Sequence, residues 1–160
     1  ALLRDSGPTA MIFSRQTLPH QVSSAEQVDG VHRGGYVLVR EQGDLDAIVI
    51  ATGSEVALAV EAAERLTEAG RCVRVVSMPC AEVFEAQEAG YREAVLPSDV
   101  LARVAVEAGH TDFWHKYVGL DGRVVGMSSF GESAPAEALF QHFGLTADNV
   151  VAAVEDVILD

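Results

Sequence analysis

The chain has 160 residues, 49% of them hydrophobic and 22% charged, which suits one globular domain, or one domain plus part of another, and excludes disordered and fibrous classes. Eleven basic residues against 24 acidic ones give a formal charge of −13, which argues against nucleic acid and anionic membranes as partners but leaves room for a small phosphorylated substrate held by one local arginine. Cys72 and Cys80 lack the paired spacing of a zinc or redox site and fit a reducing cytoplasm, and no apolar run approaches the ~20 residues of a membrane span.

The chain opens at Ala1 without a methionine, and residues 1–7 read as the last turn of a helix stopped by Gly7, the tail of a longer protein. Thr9–Ser14 predicts a short apolar strand ending at Arg15. From Gln16 to Gly34 the chain turns polar, with Pro19, and reads as a structureless interdomain linker.

Beyond it the pattern alternates. Tyr36–Val39 and Ala47–Ala51 predict strands joined through Gln42-Gly43-Asp44, a connection short enough for an antiparallel pair. Between Glu55 and Ala69, Val56, Ala59, Val60 and Ala63 recur at helical spacing, while Glu61, Glu64, Arg65 and Glu68 share the opposite arc. Ser54 is the expected N-cap of this helix, Gly70 its stop, and Glu61 with Arg65 an i,i+4 surface pair. Val73–Ser77 predicts the next strand, and Pro79 precedes a helical stretch from Val83 to Leu96. Ala102–Val106, closed by Gly109, and Val124–Met127 predict two further strands. A helix follows from Pro135, suited to the first helical position, to Phe143. The last helix, from about Thr146, carries Val150, Val151, Val154, Val157 and Ile158 on one stripe.

This alternation predicts an α/β fold, a three-layer α/β/α sandwich around a five-stranded mixed, mostly parallel sheet whose first strand is antiparallel. Such a fold places ligands at the carboxyl ends of its parallel strands, here the loops at 52–54, 78–80, 107–109 and 128–133.

Each chemical signal has two readings. Ala51-Thr-Gly-Ser-Glu55 passes from strand to helix, so it is either an anion site or a tight turn whose positive end Glu55 fills; it lacks the three spaced glycines of a dinucleotide fingerprint and the lysine of a P-loop. Gly126-Met-Ser-Ser-Phe-Gly131 is one residue too long for a nucleophile elbow, which disfavours a hydrolase. Glu107, His110 and His115 are interrupted by Gly109 and do not share a helical face, so Glu107 reads as a satisfied strand-end carboxylate rather than a metal ligand. Phe113, Trp114 and Tyr117 form a core or interface anchor, or a stacking platform for a cofactor ring. Arg15, ending its strand at a domain edge, is either a phosphate-binding cation or half of an ion pair. His20, His32 and His142 sit in polar or surface contexts.

In order along the chain, Pro8–Gln16 with its Ser-Arg-Gln, Arg33–Leu38, Ile50–Val56, Val75–Cys80, Tyr91–Glu93, Val106–Gly109, Lys116–Gly119 and the run Phe130-Gly-Glu-Ser-Ala-Pro-Ala136 resemble the carboxyl-terminal part of transketolase. Gly-Glu-Ser-Ala-Pro-Ala and Ser-Arg-Gln favour transketolase over deoxyxylulose-phosphate synthase and pyruvate dehydrogenase subunits, while dihydroxyacetone synthase is a close relative. The resemblance implies a cytoplasmic, homodimeric enzyme of the pentose phosphate pathway. With thiamine diphosphate and a divalent cation, Mg or Ca, such an enzyme moves a two-carbon ketol unit from ketose phosphates to aldose phosphates.

It further implies that residues 1–20 end a pyrimidine-binding domain, 21–34 link, and 35–160 form the C-terminal domain, a five-stranded mixed α/β unit with one antiparallel strand. Arg15 would help bind the substrate phosphate. The Gly-Asp-Gly segment, the activating glutamate and the proton-handling histidines of the family are absent from this sequence. The chain alone would therefore be non-catalytic and hold neither cofactor nor metal, with a structural or assembly role. The resemblance gives Gly53, Ser54, Glu107 and Trp114 no inherited role. A rival reading is a free-standing anion-binding or regulatory α/β module.

Overall fold

Five runs rich in valine, isoleucine and alanine form one sheet: β1 (Tyr36–Val39), β2 (Ala47–Ala51), β3 (Val73–Ser77), β4 (Arg103–His110) and β5 (Arg123–Met127). This computed structural model describes residues 4–5, 7–21 and 24–159. The strand order is β1-β3-β2-β4-β5. β2 runs parallel to β3 and β4, and β4 parallel to β5, while β1 is antiparallel to β3. Every residue of β2 and β3 is buried, as expected of strands covered on both faces.

The mixed, mostly parallel sheet with an antiparallel first strand is thus present, but β1 does not pair with β2 as its short connection predicts. β2 instead lies between β3 and β4, in register with β3 from Ala47 opposite Val73 to Ala51 opposite Ser77. Half-buried β1 takes the outer edge, because the fully apolar strand gains most from neighbours on both sides.

Strand alternation divides the interior into two cores. Val49, Ala51, Val75, Val104 and Val106 face α2 (Val56–Glu68) and α7 (Ala147–Leu159), meeting Ala59, Ala63, Leu66, Val150 and Val154. Ile48, Ile50, Val76 and Ala105 face the other layer, α3 (Ala81–Glu85), α4 (Ala89–Val95) and α5 (His115–Val118), through Phe84, Val95, Trp114, Tyr117 and Val118. The valine stripe read on the last helix is the face α7 buries. The helical stretch from Val83 to Leu96 is two short helices, α3 and α4, and Pro135 is the N-cap of α6 (Ala136–Phe143) rather than its first residue.

Residues 21–34 are not structureless: Ala25–His32 is α1, packed beside β1. Its start is a capping box, in which Ser24 Oγ accepts the Gln27 N–H and Gln27 Oε1 accepts the Ser24 N–H. The strand expected at Thr9–Ser14 is absent. The segment has no regular secondary structure and pairs with no strand of the sheet, with Met11, Ile12 and Phe13 exposed. A strand needs a neighbour for its ladder, and no described residue supplies one here. Residues 1–3 and 6 of the helix end read at the start lie outside the described residues.

Candidate functional site

The parallel strands end together. Thr52–Ser54 after β2, Met78–Cys80 after β3, the end of β4 near Ala108 and the exposed loop from Ser128 after β5 line one edge of the sheet, the place predicted for a ligand. β2 turns out of the sheet at Gly53, whose φ of +58° only glycine adopts freely. A 3₁₀ turn over Gly53–Glu55 then leads into α2.

Ser54 lies inside that turn, and the N-cap of α2 is Glu55, so the expected Ser54 cap is displaced by one position. The Ser54 hydroxyl instead donates to Glu55 Oε1 at 2.5 Å. Glu55 does not cap its own helix; its Oε2 accepts the Ala108 N–H at 3.1 Å and ties the turn to β4.

One residue earlier, Glu107 Oε2 accepts the Trp114 Nε1–H at 2.6 Å, making it the satisfied strand-end carboxylate its spacing suggested. Trp114 is 2% exposed and packs against Phe113 and Tyr117 with ring centroids 5.2 and 5.7 Å away, the core-anchor arrangement. His110 accepts the Asp112 N–H through Nδ1. Among the described residues no three His, Cys, Asp or Glu side chains converge as a metal-holding group.

Two interactions at this edge escape sequence reasoning. Glu85 Oε1 accepts from Lys116 Nζ at 2.6 Å and from Tyr117 Oη at 2.7 Å, clamping α3 to α5. The Lys116 hydrogen bond, reinforced by that of Tyr117, holds the Glu85 carboxyl below the usual range. Burial, together with the hydrogen bond to Glu85, pushes the Tyr117 hydroxyl far above the usual tyrosine value. Lys116-Tyr117 is visible as a dipeptide, but nothing in the sequence points 31 residues back to Glu85.

Arg15 is not drawn into this edge. It lies at a bend in the exposed segment 7–21, and no ion pair or hydrogen bond among the described residues joins it to the strand-end loops. On the outer helices, Arg65 pairs with Asp148 of α7 at 2.6 Å rather than with Glu61.

A family model described as the transketolase-like TK C-terminal domain matches residues 34–146. "Transketolase 2" of Vibrio vulnificus is 58% identical over 158 residues, 99% of this chain and 24% of the relative. A solved transketolase from Leishmania mexicana superposes with a TM-score of 0.82 at 43% identity, covering 91% of this chain and 20% of that one. A chain described as a split-gene transketolase, inactive β4 tetramer, gives a TM-score of 0.64 at 27% identity over 91% of this chain and 48% of its own. The chain thus spans about a quarter of the length of the curated relatives it matches.

Proposed function

From the premise that this chain belongs to the transketolase family through its C-terminal domain, we propose that it serves as that domain of a cytoplasmic, homodimeric transketolase. That enzyme transfers a two-carbon ketol group from ketose phosphates to aldose phosphates in the pentose phosphate pathway, using thiamine diphosphate and a divalent Mg or Ca ion. The observation that carries this reading is 58% identity across 99% of the chain, joined to a matching fold. No described helix is long and apolar enough to cross a membrane.

The residues present do not fit the cofactor or its metal: the sequence has no Gly-Asp-Gly segment, and the described residues offer no metal-holding group. No chemical step is therefore assigned to this chain. Its own role in this reading is structural, in keeping with a split-gene transketolase chain, about half of which this one covers, that is described as an inactive β4 tetramer. The proposed boundaries are residues 1–20 for the end of the pyrimidine-binding domain, 21–34 for the link and 35–160 for the C-terminal domain. The family-model span from residue 34 supports the last of these.

Arg15 is proposed as the one substrate contact, binding the sugar phosphate. It is exposed, and none of the ion pairs among the described residues engages its guanidinium. A charge-assisted hydrogen bond of this kind is worth about 1.5–3 kcal/mol. Arg15→Ala in the assembled enzyme is expected to weaken phosphorylated acceptors by about 10- to 150-fold in kcat/KM, leaving unphosphorylated aldoses nearly unchanged. Equal losses for both acceptor types would remove the phosphate role.

A further inference from the structure

The chain leaves β2 for β3 on one side, then crosses back over β2 to β4 on the other. The carboxyl ends of β2 and β4 therefore flank the switch point at which open α/β sheets hold their ligands. In this chain that position contains a carboxylate of the protein itself. Glu55 is 3% exposed, and both of its oxygens accept, one from Ser54 Oγ and one from the backbone N–H of Ala108.

None of the ion pairs among the described residues involves Glu55. Its carboxylate is met by neutral donors, the Ser54 hydroxyl and the Ala108 N–H, at the 3₁₀ turn that runs into the 13-residue α2, whose dipole is positive at this end. A buried carboxylate is costly without such compensation. A hydroxyl, a backbone N–H from the neighbouring strand and a helix start are also the donors a bound phosphate meets in ligand-binding sheets of this topology.

We propose that Glu55 is a built-in anion that closes the switch-point crevice, so that this domain takes no nucleotide or sugar phosphate there while the carboxylate is in place. Removing it frees the Ala108 N–H and the Ser54 hydroxyl, beside the turn that leads into α2, for an external oxyanion. The inference is independent of Arg15 and of any catalytic role for the assembled protein.

The test titrates the 160-residue chain, labelled with 15N, with inorganic phosphate against chloride at equal ionic strength. It follows the Ala108 amide and the thermal midpoint, with the fluorescence of Trp114, the single tryptophan, as a nearby reporter. Wild type is expected to show no saturable shift. Glu55→Ala is expected to show one, with Kd on the order of 1–30 mM, and a phosphate-specific rise in midpoint. Glu55→Gln, which keeps the bulk and an acceptor oxygen, should behave as wild type.

Saturable phosphate binding at Ala108 in wild type overturns the proposal, as does a folded Glu55→Ala that binds no tighter than wild type. Should Glu55→Ala lose its native amide spectrum, Glu55→Ser, which removes the carboxylate but keeps a small polar side chain, is titrated in its place. Lack of any gain there overturns the proposal equally.

Discussion

At the scale of the residue, two arginines, one buried and one half-buried, carry charge into the body of the fold outside the strand-end loops. Arg74 stands in β3 at 6% exposure. Its Nε and Nη2 donate to Glu41 at 2.8 and 2.5 Å, and its Nη1 donates to the carbonyls of Ala94 and Val95 at 3.1 Å, where α4 ends. Arg103, at the start of β4, similarly donates to the carbonyls of Val100, Tyr117 and Pro97. The carbonyls that Arg74 meets close the negative end of α4, whereas those that Arg103 meets at Pro97 and Val100 belong to the turn leading into β4.

Breaking a buried pair leaves a charge without compensation, so Glu41→Gln is expected to lower stability by about 3 kcal/mol, read from urea midpoints. Adding Arg74→Met should recover most of that loss, because an apolar side chain then replaces the orphaned cation. A loss below about 1 kcal/mol in the single variant would mean that the pair behaves as a surface contact. The pH dependence has a definite sign. Hydrogen bonding to Arg74 holds the Glu41 carboxyl below its usual range, so its stabilisation is complete above about pH 4.5 and is lost as pH falls through the folded value. Glu41→Gln should therefore flatten acid unfolding below that pH.

This pair also marks how far the sequence is legible. An arginine inside Val73-Arg-Val-Val-Ser77 signals that a buried charge needs a partner, yet the partner is 33 residues away in a turn that reads as ordinary loop. The same limit applies at the candidate site. Glu107 and Trp114 lie seven residues apart and were both singled out, but the bond between them, and the longer reach of Glu55 to Ala108, depend on strand order.

Local periodicity carries β2, β3, α2 and α7, because each buries a face set by spacing alone. It does not carry the pairing of β1, which is decided by competition among strands for the centre of the sheet. The segment 9–14 illustrates the converse, since apolar spacing alone cannot hold a strand without a neighbour.

At the scale of the element, α1 was obscured by its composition, eight residues with a glycine and few apolar side chains, even though Ser24 and Gln27 stand at capping-box spacing. The helix does more than cover surface. Gln27 Nε2 donates to Leu38 O at 2.7 Å and to Val37 O at 3.4 Å, so a side chain of α1 satisfies carbonyls of the edge strand β1. Covering an edge in this way removes a template for pairing with other chains. Close approach is secured by Gly30, where a Cβ would come within 2.6 Å of Tyr36. Ser24→Ala removes the cap alone and should cost about 1 kcal/mol. Gln27→Ala removes half of the capping box as well as the bonds to β1, and should cost about 2 kcal/mol. Denaturation of the two variants checks the order; equal losses would mean that the bonds to β1 contribute nothing beyond the cap.

At the scale of the whole molecule, the architecture divides between a packed body and an exposed leading segment. Residues 7–20 are exposed throughout, including Ile12 at 96% and Phe13 at 79%, whereas the sheet and its two cores begin beyond α1. If the domain boundary lies where proposed, stability resides after residue 20 and the segment bearing Arg15 gains order from the upstream domain it belongs to. Deleting residues 1–20 should then leave the thermal midpoint within about 2 °C, since surface positions without contacts contribute about 0.5 kcal/mol or less. Deleting residues 1–33 removes α1 and uncovers the β1 carbonyls and Tyr36, and should lower the midpoint by about 5 °C or more. A large drop from the shorter deletion would place the leading segment within the same cooperative unit and move the boundary. The two truncations thus separate a strand that waits for a sheet elsewhere from one that belongs to this domain.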